Sequence, residues 1–174
     1  WYHLYPDEQI LYDDVLHWTG RYFNWNTMCA ECHSTDLQVN YDLATNTFDS
    51  TWSEISVGCE ACHGPGSDHV LQAETGFDDS HGLLVNLDDS DGAAWVMDVE
   101  TGLAARSTPI ASHQQPESCG RCHSRRAIVA KDYEYGRPLL DTHRVSLLEE
   151  NLYHADGRIL EEVYVYGSFL QSKM

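Results

Sequence analysis

Apolar and polar positions along this 174-residue chain hold no single period for long. Residues Trp1 to Asn26 are rich in aromatics, among them Trp18, Tyr22, Phe23 and Trp25. They follow neither a helical nor a strand repeat, which predicts an irregular wrap. Leu37 to Tyr41 alternates, Asp42 to Asn46 is turn-forming and Thr47 to Trp52 favours strand, so a small hairpin is expected. Trp95 to Arg106 reads as a second hairpin turning at Glu100-Thr101-Gly102. Asp156-Gly157 reads as the turn of a third, with Ile159 to Tyr166 as its second strand.

Helical signals are short. Thr27 is placed to cap a first helix. A second stops at Gly64-Pro65-Gly66-Ser67, and a third runs through Ala73. Pro116 and Glu117 suit the first turn of a helix carrying Cys119 to Ala130, and Gly167 to Met174 begins another. The expected fold class is mainly α, with much irregular structure and a few short β-hairpins. At this length a single domain is the expectation.

The cysteines change the picture. All six fall in three copies of one pattern: Cys29-Ala30-Glu31-Cys32-His33, Cys59-Glu60-Ala61-Cys62-His63 and Cys119-Gly120-Arg121-Cys122-His123. Two thiols at i and i+3 followed directly by His form the attachment signature of c-type haem. The thiols form thioethers to the two vinyl groups on one porphyrin edge, and the adjacent imidazole ligates the iron. Cys-x-x-Cys pairs also serve zinc sites and redox disulfides. Zinc needs four ligands from two pairs, so three pairs leave one over, and it does not ask for His after each. Were the 10 histidines scattered at random, three would follow the three pairs with a chance on the order of 2 in 10,000. Three covalent haems are the expectation, stacked to form the core of a sparse chain. The apoprotein is then expected to be unfolded or molten.

Composition adds to this. The 10 Tyr and 5 Trp suit packing on porphyrin faces and edges. Net charge is −18 before haem propionates are counted, which makes nucleic acid and anionic membranes poor partners. Cationic redox proteins, metal cations or divalent-ion bridges between subunits fit better, and surplus acid also keeps an exported protein soluble. Asp78-Asp79 and Asp88-Asp89-Ser90-Asp91-Gly92 could hold calcium, although Asp91 stands where an EF-hand needs glycine, and a solvated acidic loop explains them as well. Arg121, Arg125 and Arg126 form a basic cluster, either solvated or paired with propionates. No apolar run is long enough to span a membrane. The chain begins at Trp1 without a signal peptide, which suggests a processed form or a piece of a longer chain. Haem is joined to thiols outside the cytoplasmic membrane, so the periplasm, cell surface or extracellular space is expected.

His33, His63 and His123 take one side of each iron. For the other side the chain offers His3, His17, His69, His81, His113, His143 and His154, against only 3 Met. That balance favours bis-histidine haems, with potentials below those of His/Met cytochromes. His69 follows His63 by six residues and a turn, too few to round the porphyrin edge. If it is a ligand, it serves a different haem.

Four stretches then carry a resemblance. The first runs from His17-Trp18-Thr19-Gly20 through Asn24-Trp25-Asn26-Thr27-Met28-Cys29 to His33-Ser34-Thr35. The second is Cys59 to Gly64-Pro65-Gly66-Ser67-Asp68-His69, the third Cys119 to His123-Ser124-Arg125-Arg126, and the fourth Tyr164-Val165-Tyr166-Gly167-Ser168 to Met174. Together they resemble multihaem c-type cytochromes related to hydroxylamine oxidoreductase and pentahaem nitrite reductase, which often carry tetratricopeptide repeats downstream. The resemblance implies that His17, His69 and His143 are the distal ligands. It adds His3, in a family-like Trp-Tyr-His-Leu-Tyr-Pro start, as a fourth candidate, for this chain or a neighbour. Family members usually continue beyond Gln-Ser-Lys-Met into further haem motifs, and the Lys-ligated motif of nitrite reductase is absent here.

Two functions compete. One is an electron carrier with three closely spaced low-spin haems, partnered by other redox proteins or by copies of itself in a homo-oligomer or head-to-tail filament. The other is an oxidoreductase acting on nitrogen or sulfur oxyanions at one five-coordinate haem, with Arg125, Arg126 or a Tyr binding substrate. The surplus of histidines favours the carrier.

Overall fold

A computed structural model describes residues 6–88, 92–109, 112–146 and 148–172. His3, Asp89 to Asp91 of the calcium candidate, Lys173 and Met174 lie outside the described residues. The chain divides into two compact units, 1–61 and 62–174, with the boundary inside the second cysteine motif. Among the described residues, no helix is long and apolar enough to cross a membrane.

In the first unit, a 3-10 turn (Arg21–Phe23) leads to a π-helical turn (Trp25–Cys29) and a one-turn helix, α1 (Ala30–His33). The cap is Asn24 rather than Thr27. Its side-chain oxygen accepts the Thr27 N–H at 3.1 Å and the Thr27 hydroxyl at 3.0 Å. The chain then extends into the expected hairpin of β1 (Tyr41–Asp42) and β2 (Thr47–Phe48), paired antiparallel. Further bridges, Gln38 to Thr51 and Thr35 to Glu54, carry the pairing back towards α1. Asp42 shapes the turn by accepting from the Ala44 N–H at 2.9 Å and the Thr45 hydroxyl at 2.7 Å.

Helix α2 (Glu60–His63) spans the boundary. In the second unit, α3 (Ser67–Thr75) follows and ends at Gly76. The hairpin expected over 95–106 forms as β3 (Trp95–Met97) and β4 (Ala104–Arg106), and Gly102 supplies its left-handed residue.

Helix α4 (Gln114–His123) stops at Ser124, short of the expected Ala130. The Ser124 hydroxyl takes the Gly120 carbonyl at 2.6 Å, and the chain turns into β5 (Arg126–Ile128), which pairs with β6 (His143–Val145). The third hairpin does not form as expected. One bridge joins Tyr153 to Ile159, and α5 (Tyr166–Gln171) begins where the strand was to end. Tertiary bonds claim that segment instead: Arg125 N–H donates to the Val163 carbonyl at 3.2 Å and the Arg125 guanidinium to the Glu162 carbonyl at 2.9 Å.

Among the described residues, the buried apolar side chains are Ala30, Val85, Leu139, Tyr153 and Val163. That is a small core for a chain of 174 residues. Gly120 marks a close contact with it, since a Cβ there would stand 2.6 Å from Leu139 Cδ2 and 2.9 Å from Tyr166 Cε2.

Candidate haem sites

Each cysteine pair sits on a single helical turn, because residues three apart lie on one helix face. Cys29 closes the π-helical turn and Cys32 and His33 lie on α1. Cys62 and His63 lie on α2, directly after Cys59, and Cys119, Cys122 and His123 end α4. The first and third motifs close identically. Ser34 donates its hydroxyl to the Ala30 carbonyl at 2.5 Å, as Ser124 does to Gly120, and both serines are buried. The second motif has Gly64 at that position with φ 77°, which bends the chain directly into α3 and His69.

His63 and Val85 bond to each other twice. His63 Nδ1 lies 2.8 Å from the Val85 carbonyl oxygen, and the Val85 N–H donates to the His63 carbonyl at 3.1 Å. A carbonyl only accepts, so Nδ1 carries the proton and Nε2 offers a lone pair. His69 repeats this, with Nδ1 2.7 Å from the His81 carbonyl oxygen. Phe77 sits beside both rings, 5.3 Å from His69 and 5.2 Å from His81. His17 differs. Its Nδ1 accepts the Thr19 N–H at 3.3 Å and faces the Thr19 hydroxyl at 2.8 Å, which places the proton on Nε2. His143 is buried on β6, with Nδ1 2.8 Å from the Thr142 hydroxyl.

Tyr133 and Tyr135 were not singled out by sequence, yet they join the surroundings of three site residues. Tyr133 meets His143 edge-on at 6.2 Å and Tyr135 at 5.5 Å. The Arg121 guanidinium, between Cys119 and Cys122, lies 3.9 Å over the Tyr133 ring. Tyr135 Cγ would stand 3.3 Å from a Cβ at Gly64, next to His63. Burial pushes the Tyr133 hydroxyl above its ordinary range. The free Cys119 thiol is pushed up by burial first and then by the nearby Cys62. The only sequence cue was a Tyr-x-Tyr pair, which marks no chemistry by itself. Two members of the basic cluster bond backbone carbonyls: Arg126 Nε donates to the Arg121 carbonyl at 2.5 Å, and exposed Arg125 donates to Glu162 as above.

These residues fit haem c. The helical turns present paired thiols, His63 holds the tautomer that iron ligation by imidazole uses, and large apolar groups beside the motifs stay open. Met28 is 52% exposed, Val57 54% and Leu84 61%. A porphyrin would cover such groups, which the polypeptide alone does not. Among the described residues, no three His, Cys, Asp or Glu side chains gather as ligands for a bare ion.

Residues 13–64 match the family of cytochrome c554 and c-prime. The match supports a c-type cytochrome, with covalently bound haem c and electron transport as its work. It takes in His17 and the first two motifs. No curated protein and no solved structure matches the chain.

Proposed function

We propose that this chain is a trihaem electron carrier of the multihaem group related to hydroxylamine oxidoreductase and nitrite reductase. Cys29 and Cys32, Cys59 and Cys62, and Cys119 and Cys122 hold the haems, and His33, His63 and His123 are the proximal ligands. His69, His143 and His17 supply the distal side, with His3 in reserve for this chain or a neighbouring copy. Bound haem supplies one-electron redox chemistry at iron, and the chain sets ligand, spacing and dielectric. It works outside the cytoplasm, passing electrons to cationic redox proteins or along stacked copies of itself.

The observation that carries this reading is the shared tautomer of His63 and His69. Both hold Nδ1–H against a backbone carbonyl, although only His63 belongs to a cysteine motif. A second imidazole so prepared favours six-coordinate iron over an open site. For His17, ligation requires the opposite tautomer, with Nδ1–H donating to the Thr19 hydroxyl and the Thr19 N–H released. Closely spaced haems are supported by the Tyr133–Tyr135 pair, which touches the surroundings of both the second and third motifs.

Haem content tests the count. Intact mass and a pyridine haemochrome assay should give three haems per chain. Replacing both cysteines of any one motif by Ala should leave two. A value of two in the unaltered protein would overturn the trihaem reading.

A further inference from the structure

We propose that residues 76–85, which follow α3, are a shared positioning element for two haems, the Val85 and His81 carbonyls setting the imidazoles of His63 and His69 respectively. The inference rests on His69 being a distal ligand. His69 follows His63 too closely to reach the same iron from the other side, so one short loop then bears on two different irons.

The loop is built for fixed placement. Asp78 accepts from Ser80 through both its N–H, at 2.9 Å, and its hydroxyl, at 2.6 Å. Gln72 of α3 donates to Asp78 Oδ2 at 3.0 Å and accepts the Asp78 N–H at 3.2 Å, which ties the loop to the helix that carries His69. The Ser80 hydroxyl oxygen accepts the Gly82 N–H at 3.1 Å. His81 and Gly82 both take left-handed backbone, with φ 53° and 67°. Gly82 presses onto α3 backbone: a Cβ there would lie 2.6 Å from both Asp68 C and His69 N. Three residues later, fully buried Val85 makes its two bonds to His63. His81, one of the seven candidate histidines, takes part here through its backbone carbonyl.

The chemistry sets the direction of the effect. An imidazole that donates Nδ1–H to a carbonyl is a stronger donor to metal, which favours the ferric state. Displacing the loop weakens both donors, so the midpoint potentials of two haems rise and the third stays in place.

The experiment is a redox titration of the holoprotein followed by EPR, on Gly82→Ala and Ser80→Ala. Nitrogen NMR of the fully reduced, diamagnetic protein reads the imidazole tautomers alongside. Gly82→Ala is expected to raise two of three potentials and to disturb the His63 and His69 Nδ1–H signals. Ser80→Ala, an exposed change that removes two loop bonds, should shift the same two haems less and decides the matter if Gly82→Ala fails to fold. A shift at one haem, at none, or equally at all three would overturn the proposal. His69→Ala separates the underlying reading: one haem turning high-spin upholds ligation by His69, and three remaining low-spin removes it whatever the loop variants do.

Discussion

Thr35 and Gly58 are joined by a 2.9 Å hydrogen bond, from the glycine N–H to the threonine hydroxyl oxygen. The same hydroxyl donates to the Ser56 carbonyl at 2.8 Å. Thr35 lies two residues after His33 and Gly58 one before Cys59, so a single buried side chain links the end of the first motif to the approach to the second. Thr35→Val keeps the shape and strands a donor and an acceptor. It should lower holoprotein stability by about 2 kcal/mol in chemical denaturation, within the range for unsatisfied buried groups. Unchanged stability would mean that water replaces the hydroxyl there.

The serines after the first and third motifs suggest the opposite test at the second. Gly64→Ser makes all three motifs read alike, yet Gly64 has φ 77° and a Cβ would lie 3.1 Å from Leu84. The substitution should destabilise by about 1–2 kcal/mol, the cost of left-handed backbone for a residue with a Cβ. Ser34→Ala and Ser124→Ala should each cost about 1 kcal/mol through loss of the bond to the helix carbonyl. A stabilising Gly64→Ser would contradict the difference in how the motifs close.

Acid and alkali should act on different groups. Asp42 is held below the usual carboxylate range, first by the Thr45 hydroxyl, Asp78 first by the Ser80 hydroxyl and Asp98 first by the Glu100 N–H. A depressed folded-state value means their contribution is present above the unfolded value of about 3.9 and is lost as pH falls through the folded one. Asp42→Asn and Asp98→Asn should therefore flatten the acid limb of stability against pH.

Burial raises Tyr133 and Tyr166, so their contribution is full below the unfolded value of about 10 and is lost as pH rises through the folded one. Tyr133→Phe should flatten the alkaline limb, read by denaturation across pH 8 to 11. An unaltered limb would show that Tyr133 ionises as readily folded as unfolded.

Local chemistry decided what could be read in advance. The hairpins over 41–48 and 95–106 were legible because Asp42, Asn46 and Gly102 supply turn chemistry within a few residues. The expectation for the attachment residues rests on their Cys-x-x-Cys-His spacing, which carries its chemistry within five residues. Helix α4 stops early where Ser124 bonds back to the Gly120 carbonyl, a contact that serine as a residue type does not announce. The Ile159 segment is drawn off by Arg125, 37 residues from Glu162 and without a local sign. The partners of His63 and His69 are backbone carbonyls, which every residue carries, so Val85 and His81 could not have been picked out by side-chain type. Asn24 was missed as a cap because Thr27, equally able, stands three residues on.

The measurement that tests the account most directly is an EPR and electronic spectrum of the oxidised holoprotein, taken before and after adding cyanide and nitrite. An electron carrier with bis-histidine ligation throughout should show three low-spin haems that neither ligand alters. A high-spin signal near one haem in three that binds them would contradict it, and would place an open iron where a distal histidine is assigned.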